Sequence, residues 1–451
     1  MDYLAEFDQT APVDQYPLVK GWIKTEPLAF FKQLRAERPV LVTPVCTLVA
    51  GFADVRDMLQ MPKVFTVDLY KPKMGVTSPD DGYLMAHDDD ALHYREKSLM
   101  QGLLNRDDLP HIRKLVEQSA AEILANANGS IEFVNEYCRT VPVRLVQDYF
   151  GLDGVDAEDL IEWSYWNQYD AFNNQPIDLL TEEQGRYIVE RHDAVSEKLG
   201  IYVASLLVRK LATNATVSIF KKMLSYPKRV ALSLLGMTLS SDPDTVADRM
   251  LSSKFSKDID FSLLRQGVNA GGLLIGAIET TQQAVAQAVQ FFIQHPDLMR
   301  QAKQAASFSD TTEFDQLVWE ALRFVPIRPD IFRKAGADFT AGKGTDYETD
   351  IEKGTIVRLL TLSAMFDPYA NKEPDEFNPD RSFYHNFVFG FGPHECLGKY
   401  VAMVMVPEMV RQAILMPELS EAGPMSYERK EGPLTGKEDG PFPENYEIAW
   451  K

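Results

Sequence analysis

Apolar residues recur every three or four positions through most of the chain from about residue 53 onward, and this spacing predicts amphipathic helices. The predicted helices lie near 108–127, 131–149, 157–173, 182–211, 217–236, 262–293, 295–305 and 312–324. The strand patterns are short, and they lie within 38–51, 331–340, 356–360 and 445–450. The sequence therefore predicts a mainly α fold with small β-sheets (α+β).

An early helix is predicted after Thr25-Glu26-Pro27, where the threonine hydroxyl is expected to cap the helix and the proline to occupy its first turn. The length of 451 residues alone suggests two or three domains. The sequence shows no linker, charge block or internal repeat, so we expect one domain over 1–451. Its β-rich part is expected at about 35–65 and 331–362, and the remainder is expected to be helical.

The formal charge of −20 arises from 46 Lys and Arg against 66 Asp and Glu, and it disfavours nucleic acid and anionic membrane surfaces as partners. No apolar run reaches about 18 residues, so no membrane span is expected. The N-terminal residues are acidic where a secretory signal is basic. Three cysteines are too few for a disulfide framework. We therefore expect a cytoplasmic protein.

The predicted helix at 262–293 contains three glycines near its middle, the last two at Gly272 and Gly276. Each glycine costs roughly 1 kcal/mol relative to alanine in a helix interior. Glu279 and Thr280 follow, so the centre of the helix combines small residues with an acid and an alcohol. Such a centre indicates either close helix packing, which the two glycines alone would explain, or a site for chemistry.

Cys396 lies in the loop F-G-F-G-P-H-E-C-L-G-K, directly before an apolar helical segment. The N–H groups and the dipole at a helix N-terminus favour a thiolate. A thiolate there can serve as a nucleophile, a redox thiol or a metal ligand. No C-x-x-C motif or second nearby cysteine supports redox or zinc chemistry, whereas an axial ligand to haem iron needs a single cysteine.

The spacing Phe389-x-x-Gly392-x-x-x-Cys396-x-Gly398 resembles the haem-binding loop of the cytochrome P-450 (haem-thiolate monooxygenase) family. The resemblance extends over nearly the whole chain. It implies the cytochrome P-450 fold of a soluble, bacterial-type member, with haem b between the cysteine loop and the long helix. It also implies that Cys396 is the iron ligand and that Phe389 and Gly398 contact the cofactor.

A second landmark of the family is a buried E-x-x-R pair. Glu320 and Arg323 match this pair, and Arg381 in F-N-P-D-R matches its third member. We assign these residues to structure, because a buried carboxylate needs paired cations. The pattern by itself is weak, since Glu136 and Arg139 also match it, and that pair is expected to be solvated.

Residues 276–281 are similar to the oxygen-activation segment of the family. The resemblance implies that Gly276 and Ala277 leave room over the iron. It further implies that Thr280 holds water or dioxygen by hydrogen bonds and that Glu279 relays protons from solvent. Both roles serve the same chemistry, because heterolytic cleavage of the O–O bond requires two protons.

The two haem propionates require cations, and the resemblance points to His93, Lys97, Arg333 and His394. His93 and Lys97 are four residues apart and therefore lie on the same face of a helix. Lys97 departs from the arginine that is frequent at this position in the family.

Arg328, in F-V-P-I-R-P-D, departs from the apolar residue that the family usually presents to substrate. It can bind a substrate carboxylate in a bidentate manner, contact a propionate or form an outward-facing ion pair. Residues 214–236 add an amphipathic segment to which no role is assigned. Further substrate-lining residues are expected in the loop at 66–85, near 160–200 and near 435–443.

The resemblance implies an oxidoreductase of the monooxygenase type, which inserts one atom of O2 into a hydrophobic small molecule by hydroxylation or epoxidation. The sequence contains no flavin or iron–sulfur module after the haem loop. Electrons from NAD(P)H are therefore expected through a separate ferredoxin or flavodoxin and its reductase. Lys399, Arg411 and Arg95 are expected to form a basic docking patch for that partner.

Three alternatives stay open at this point. A peroxide-driven peroxygenase or rearranging enzyme would act on a carboxylate-bearing substrate; Arg328 favours this function, and the pair Glu279–Thr280 disfavours it. A non-enzymatic haem sensor or carrier would not need a long helix with a destabilised centre. A helical protein with one reactive thiol would leave the ordered set of motifs unexplained.

Overall fold

The computed structural model describes residues 1–223, 244–253, 255 and 259–451, with the side chains of 213–223 excepted. Helices dominate the described residues, and the strands form small sheets, as predicted. The α-helices are α1 (Tyr3–Gln9), α2 (Pro12–Thr25), α3 (Pro27–Glu37), α4 (Phe52–Leu59), α5 (Ala91–Leu103), α6 (Leu109–Asn126), α7 (Thr140–Leu145), α8 (Ala157–Asn173), α9 (Glu182–Met223), α10 (Val246–Ser252), α11 (Leu263–Ala277), α12 (Glu279–Gln294), α13 (Pro296–Ala306), α14 (Thr312–Phe324), α15 (Thr361–Met365) and α16 (Lys399–Ile414). The strands are β1 (Val40–Val42), β2 (Thr47–Val49), β3 (Phe65–Thr66), β4 (Ser130–Glu132), β5 (Ile331–Ala335), β6 (Phe339–Ala341), β7 (Thr349–Ile351), β8 (Ile356–Leu359), β9 (Ser420–Glu421) and β10 (Glu447–Ala449).

The largest sheet joins segments from the two predicted β-rich parts of the chain. Its strand order is β1-β2-β8-β5-β3. β2 and β8 are parallel, with Thr47 opposite Val357, and the other neighbours in this sheet are antiparallel. A three-stranded sheet β4-β10-β9 and a two-stranded sheet β6-β7 complete the strands. Two apolar clusters form the core, and Phe324 and Val388 pack against both of them.

The predicted cap of α3 is wrong. The Thr25 hydroxyl donates to the carbonyl of Gly21 at 3.0 Å and so belongs to the end of α2. Glu26 occupies the N-cap position of α3, and its side chain makes no capping hydrogen bond. Pro27 does lie in the first turn, as expected, because its missing N–H has no intrahelical partner there.

Two predicted helices differ in their winding or length. The segment expected at 131–149 contains π-helical turns at Phe133–Arg139 and Val146–Phe150, on either side of α7. α9 continues to Met223, beyond the predicted end at 211. The predicted helix at 217–236 is therefore not separate at its start, and its remainder from 224 lies outside the described residues, as does most of the added segment.

The buried E-x-x-R pair forms the network that the sequence predicts. The guanidinium of Arg323 donates to both carboxylate oxygens of Glu320, at 2.9 and 2.7 Å. Arg381 donates to the same carboxylate at 3.3 Å, and so does the N–H of Asn378 at 2.9 Å. The network thereby joins α14 to the segment that precedes the cysteine loop. No helix among the residues that the structure describes is long and apolar enough to cross a membrane.

Candidate active site

The cysteine loop is held by its own backbone. The N–H of Cys396 donates to the carbonyl of Phe389 at 2.9 Å and closes the loop. Gly390 and Gly392 have φ values of +71° and +74°, which side chains rarely adopt. Gly398 instead has φ −84° and is the N-cap of α16, so its conformation does not require glycine.

Cys396 is exposed, unlike the other two cysteines. The protein around its sulfur nevertheless displaces water, and this desolvation raises the pKa of the thiol. The N–H of Gly398 and the ammonium groups of Lys97 and Lys399 act in the opposite direction. The helix N-terminus alone therefore does not produce the expected thiolate, whereas a bound metal cation favours one strongly.

The predicted long helix is broken at Ile278. α11 ends one residue before it and α12 begins one residue after it, and Ile278 itself has φ −87° and ψ −66°. A helix end leaves its last carbonyls without intrahelical partners. The Thr280 hydroxyl donates to one of these carbonyls, that of Gly276, at 2.7 Å. The break therefore fixes the alcohol of the acid–alcohol pair against the backbone.

Two side chains of α8 donate to another carbonyl at the break. The hydroxyl of Ser164 lies 3.2 Å from the carbonyl oxygen of Ile275, and the side-chain amide of Gln168 donates to the same oxygen. Both side chains are buried. They satisfy a backbone group that would otherwise be costly to bury, and so they stabilise the break. No sequence pattern indicated this contact, apart from the expectation that residues near 160–200 line the site.

Open space borders α11 at Gly276. This residue is exposed, although all residues in 269–274 are buried, and an added Cβ would have no atom within 4 Å. At Gly272 an added Cβ would lie 2.0 Å from the ring of Tyr83. Burial raises the pKa of Tyr83, and the charge of Cys396 contributes in the same direction. Tyr83, from the loop at 66–85, therefore packs against the glycine helix.

Glu279 is fully buried and forms an ion pair with Arg139. Nε of Arg139 lies 3.0 Å from Oε1 of Glu279, and Nη2 lies 2.9 Å from Oε2. The expectation that Arg139 forms a solvated pair with Glu136 is wrong, because Arg139 is only 2% exposed. Its charge is needed by the buried carboxylate of Glu279, a partner too distant in sequence for a helix pattern to reveal.

His93 and Lys97 lie side by side on α5, as expected, and both contact the cysteine loop. The ring nitrogens of His93 lie 2.9 Å from the carbonyl oxygen of Leu84 and 3.0 Å from that of Pro393. The ammonium of Lys97 donates to the carbonyls of Pro393 and of Glu395, the latter at 2.7 Å. Burial lowers the pKa of Lys97 to about 8. These contacts brace the loop, and binding of a propionate by either residue stays a prediction.

The side chains of His394 and Arg333 are both buried. Both ring nitrogens of His394 lack a hydrogen bond among the described residues, and Asp88 is 3.7 Å away. Burial lowers the pKa of His394 to about 4. The guanidinium of Arg333, 5% exposed, donates to the carbonyl of Phe332 at 2.9 Å. A buried cation beside an unsatisfied imidazole fits an anionic group such as a haem propionate.

Arg328 is partly buried and already has a polar partner. Its Nη1 donates to Oδ1 of Asn173, at the end of α8, at 2.6 Å. Burial raises the pKa of Asp178, and the charge of Arg328 opposes that rise. Because Arg328 already interacts with Asn173 and with the charge of Asp178, it is less available to a substrate carboxylate than the sequence suggested. Its role in substrate binding stays a prediction.

The basic residues proposed for docking each have an acidic neighbour. Lys399 pairs with Glu395 at 2.7 Å, and Arg411 pairs with Glu408 at 3.1 Å. Arg411 also donates to a backbone carbonyl of α13, so it faces the interior. Arg95 lies 3.8 Å from Glu96. The three residues therefore do not form a simple positive patch.

Comparisons with known proteins agree with this arrangement. The sequence model of the family described as Cytochrome P450 matches residues 208–415. The chain is 24% identical over 406 residues to pulcherriminic acid synthase of Bacillus subtilis (strain 168), covering 85% of this chain and 86% of the relative. It is 26% identical over 416 residues to vitamin D(3) 25-hydroxylase of Pseudonocardia autotrophica, covering 87% of each.

Solved structures show the same fold. CalO2 superposes with a TM-score of 0.71 at 19% identity, over 95% of this chain and 97% of that chain. P450BioI, in complex with an acyl carrier protein ligated to hexadec-9Z-enoic acid, superposes with a TM-score of 0.68 at 19% identity, over 96% and 100%.

The helical fold, the exposed thiol in a glycine loop and the open space at Gly276 define a haem-thiolate protein. The donor set fits the cofactor, because Cys396 offers one soft ligand and Arg333 and His394 offer buried partners for propionates. The chain is similar to the cytochrome P-450 family, whose model matches its residues 208–415, and it is an oxidoreductase of the monooxygenase type that uses haem b and O2.

Proposed function

We propose that the protein inserts one atom of O2 into a C–H or C=C bond of a hydrophobic small molecule, with electrons from a separate ferredoxin or flavodoxin and its reductase. The observation that carries this proposal is the acid–alcohol pair Glu279–Thr280 at a helix break beside open space. A carrier of electrons has no need of such a break. Haem, when bound, supplies the reduction and activation of dioxygen.

In this proposal each residue of the site has one role. Cys396 is the axial ligand, and Arg333 and His394 bind the propionates. The Thr280 hydroxyl gives its hydrogen to the Gly276 carbonyl, so its oxygen lone pairs are free to accept a hydrogen bond from water or from a protonated oxygen. The carboxylate of Glu279 takes up a proton that comes from solvent and passes it on to that position.

The thiolate ligand is tested by spectroscopy. The reduced protein treated with carbon monoxide should show the strongly red-shifted absorption of sulfur-ligated iron. Cys396→Ser should lose this band, with the far-ultraviolet circular dichroism spectrum unchanged as a control for folding. A variant that keeps both the band and the haem content of the wild type would remove the basis of the proposal.

The role of Thr280 is tested by the fate of oxygen. Thr280→Ala should consume O2 but release it mainly as hydrogen peroxide, since proton delivery contributes about 10²–10⁴-fold in typical enzymes. Thr280→Ser keeps the hydroxyl and should stay close to the wild type. Equal product per O2 in both variants would contradict the proposal.

The peroxide-driven alternative has a direct test. The alternative would be favoured if the protein turned over as fast with hydrogen peroxide alone as with a reductase and O2. Loss of the peroxide-driven turnover in Arg328→Met would support Arg328 as an anchor for a substrate carboxylate. The names of the relatives include an acid synthase and a vitamin D(3) hydroxylase, which do not indicate one substrate.

Titration of the ferric protein with a compound library, followed by absorbance, would identify ligands. A cytoplasmic location stays a prediction.

A further inference from the structure

A cavity of about 580 Å³ is lined by residues of the C-terminal segments 426–431 and 444–445. Its lining is charged and polar and includes Glu428, Arg429 and Glu444. Lys430 and Asn445, which also line it, are exposed. The cavity is therefore accessible to water.

Glu444 connects this cavity to the interior. Its side chain is 11% exposed, and its Oε1 accepts a hydrogen bond from the hydroxyl of Tyr165 at 2.7 Å. Its Oε2 lies 3.5 Å from Nη2 of Arg139 and 3.8 Å from Nη1 of Arg429. The carboxylate thus contacts the cavity on one side and a buried guanidinium on the other.

The same guanidinium nitrogen also binds Glu279. Nη2 of Arg139 lies 2.9 Å from Oε2 of Glu279, whose side chain has no exposure to solvent. Arg139 itself does not release a proton in proteins. It instead holds two carboxylates close together, of which only Glu444 contacts the cavity. Any proton that reaches Glu279 along this route must pass through Glu444 or through a water beside it.

We propose that Glu444 is the solvent-side carboxylate that passes protons from the cavity to Glu279; this inference rests on the proposed role of Glu279. A hydronium ion in the cavity gives one proton to the Glu444 carboxylate and becomes water. The neutral acid then gives that proton to a water beside it, which passes a proton to the Glu279 carboxylate, and Glu444 returns to its charged form. No electron and no other atom is transferred.

The surroundings of Glu444 suit a group that gains and loses a proton. Burial raises its pKa, and the charge of Glu279 acts in the same direction. The charges of Arg139 and Arg429 and the hydrogen bond from Tyr165 lower it. These opposing influences leave the carboxylate easier to protonate than an ordinary surface glutamate.

The variant Glu444→Gln separates proton transfer from structure. Glutamine keeps the size of the side chain and an acceptor for Tyr165, but it cannot carry a proton. We expect about a tenfold loss in product formed per O2 consumed, less than the full range for a direct acid because water partly substitutes. Glu428→Gln, a lining residue without a contact to Arg139, is the matched control and should behave as the wild type.

Infrared spectroscopy gives a readout that does not depend on turnover. In a pH titration of the ferric protein, the C=O band of a buried protonated carboxyl should persist above the pH range of ordinary glutamates. Glu444→Gln should lose one component of this absorption, and Glu428→Gln and Glu444→Asp should keep it; Asp178 and Asp315, whose pKa values burial also raises, contribute equally in every variant. Glu444→Asp should also recover part of the lost product yield. A wild-type band in Glu444→Gln, or a wild-type yield in that variant, would overturn the inference.

Comparison with Glu279→Gln distinguishes this inference from the proposed function. If Glu279→Gln lowers the product yield and Glu444→Gln does not, the route through Glu444 is wrong and the proposed function stands. If Glu279→Gln has the yield of the wild type, the proposed role of Glu279 is wrong and the inference falls with it.

Discussion

Gly272 and Gly276 lie one turn apart on α11 and should respond in opposite directions to alanine. At Gly276 the added Cβ meets no atom within 4 Å, so the variant should gain about 0.5–1 kcal/mol in unfolding free energy through its lower backbone entropy when unfolded. At Gly272 the Cβ would lie 2.0 Å from Cε2 of Tyr83, and the ring must move. Such overpacking costs about 1–3 kcal/mol, which exceeds the gain.

The difference between the two variants isolates the overpacking, because both gain the same helix propensity. Urea unfolding followed by far-ultraviolet circular dichroism, at matched haem content, should place Gly276→Ala above Gly272→Ala by about 1–3 kcal/mol. Adding Tyr83→Leu to Gly272→Ala should recover part of the loss. Equal unfolding free energies for the two single variants would refute the contact between Tyr83 and the helix.

Three further substitutions test other contacts by the same urea assay. Arg139→Met should lower the free energy of unfolding by about 3–5 kcal/mol, because it leaves the buried carboxylate of Glu279 unpaired. Adding Glu279→Gln to this variant should restore part of the lost stability. A loss below about 1 kcal/mol would contradict a buried ion pair. Gln168→Leu should lower the free energy of unfolding by about 1 kcal/mol, since the carbonyl of Ile275 at the helix break then keeps only the hydroxyl of Ser164 as a side-chain donor. An unchanged free energy of unfolding would show that the amide of Gln168 is dispensable. Gly390→Ala should lower the free energy of unfolding by about 1–2 kcal/mol, because the φ angle of Gly390 is +71°. Gly398→Ala is the control and should lower it little, because the φ angle there is −84°. Equal losses in the two variants would refute the argument from backbone conformation.

The elements with strong local signals were predictable from the sequence. α8 and α14 begin and end at the predicted residues, 157–173 and 312–324, because their apolar periodicity is regular. The mainly α fold with small sheets is confirmed, and the cysteine loop was recognisable from its spacing alone. Local pattern therefore suffices where each residue's conformation agrees with that of its neighbours.

Features that depend on distant partners were not predictable. The break at Ile278 is stabilised by Ser164 and Gln168, which lie more than a hundred residues earlier in the chain. Arg139 looked like one half of a solvated helix pair, but the fold places it against Glu279. Helical periodicity indicates on which side of its own helix a residue lies. It carries no information about which charged residue of another element will contact that residue.

The parallel pairing of β2 with β8 has a consequence for synthesis on the ribosome. Thr47 cannot pair with Val357 until the roughly 300 residues between them have been synthesised. At about 5–20 residues per second, this synthesis takes about 15–60 s. Throughout that interval the edge of the β1–β2 hairpin that β8 later covers lacks its neighbour. A nascent chain stalled before β8 should therefore be a substrate for chaperones, and release from them should coincide with emergence of that strand.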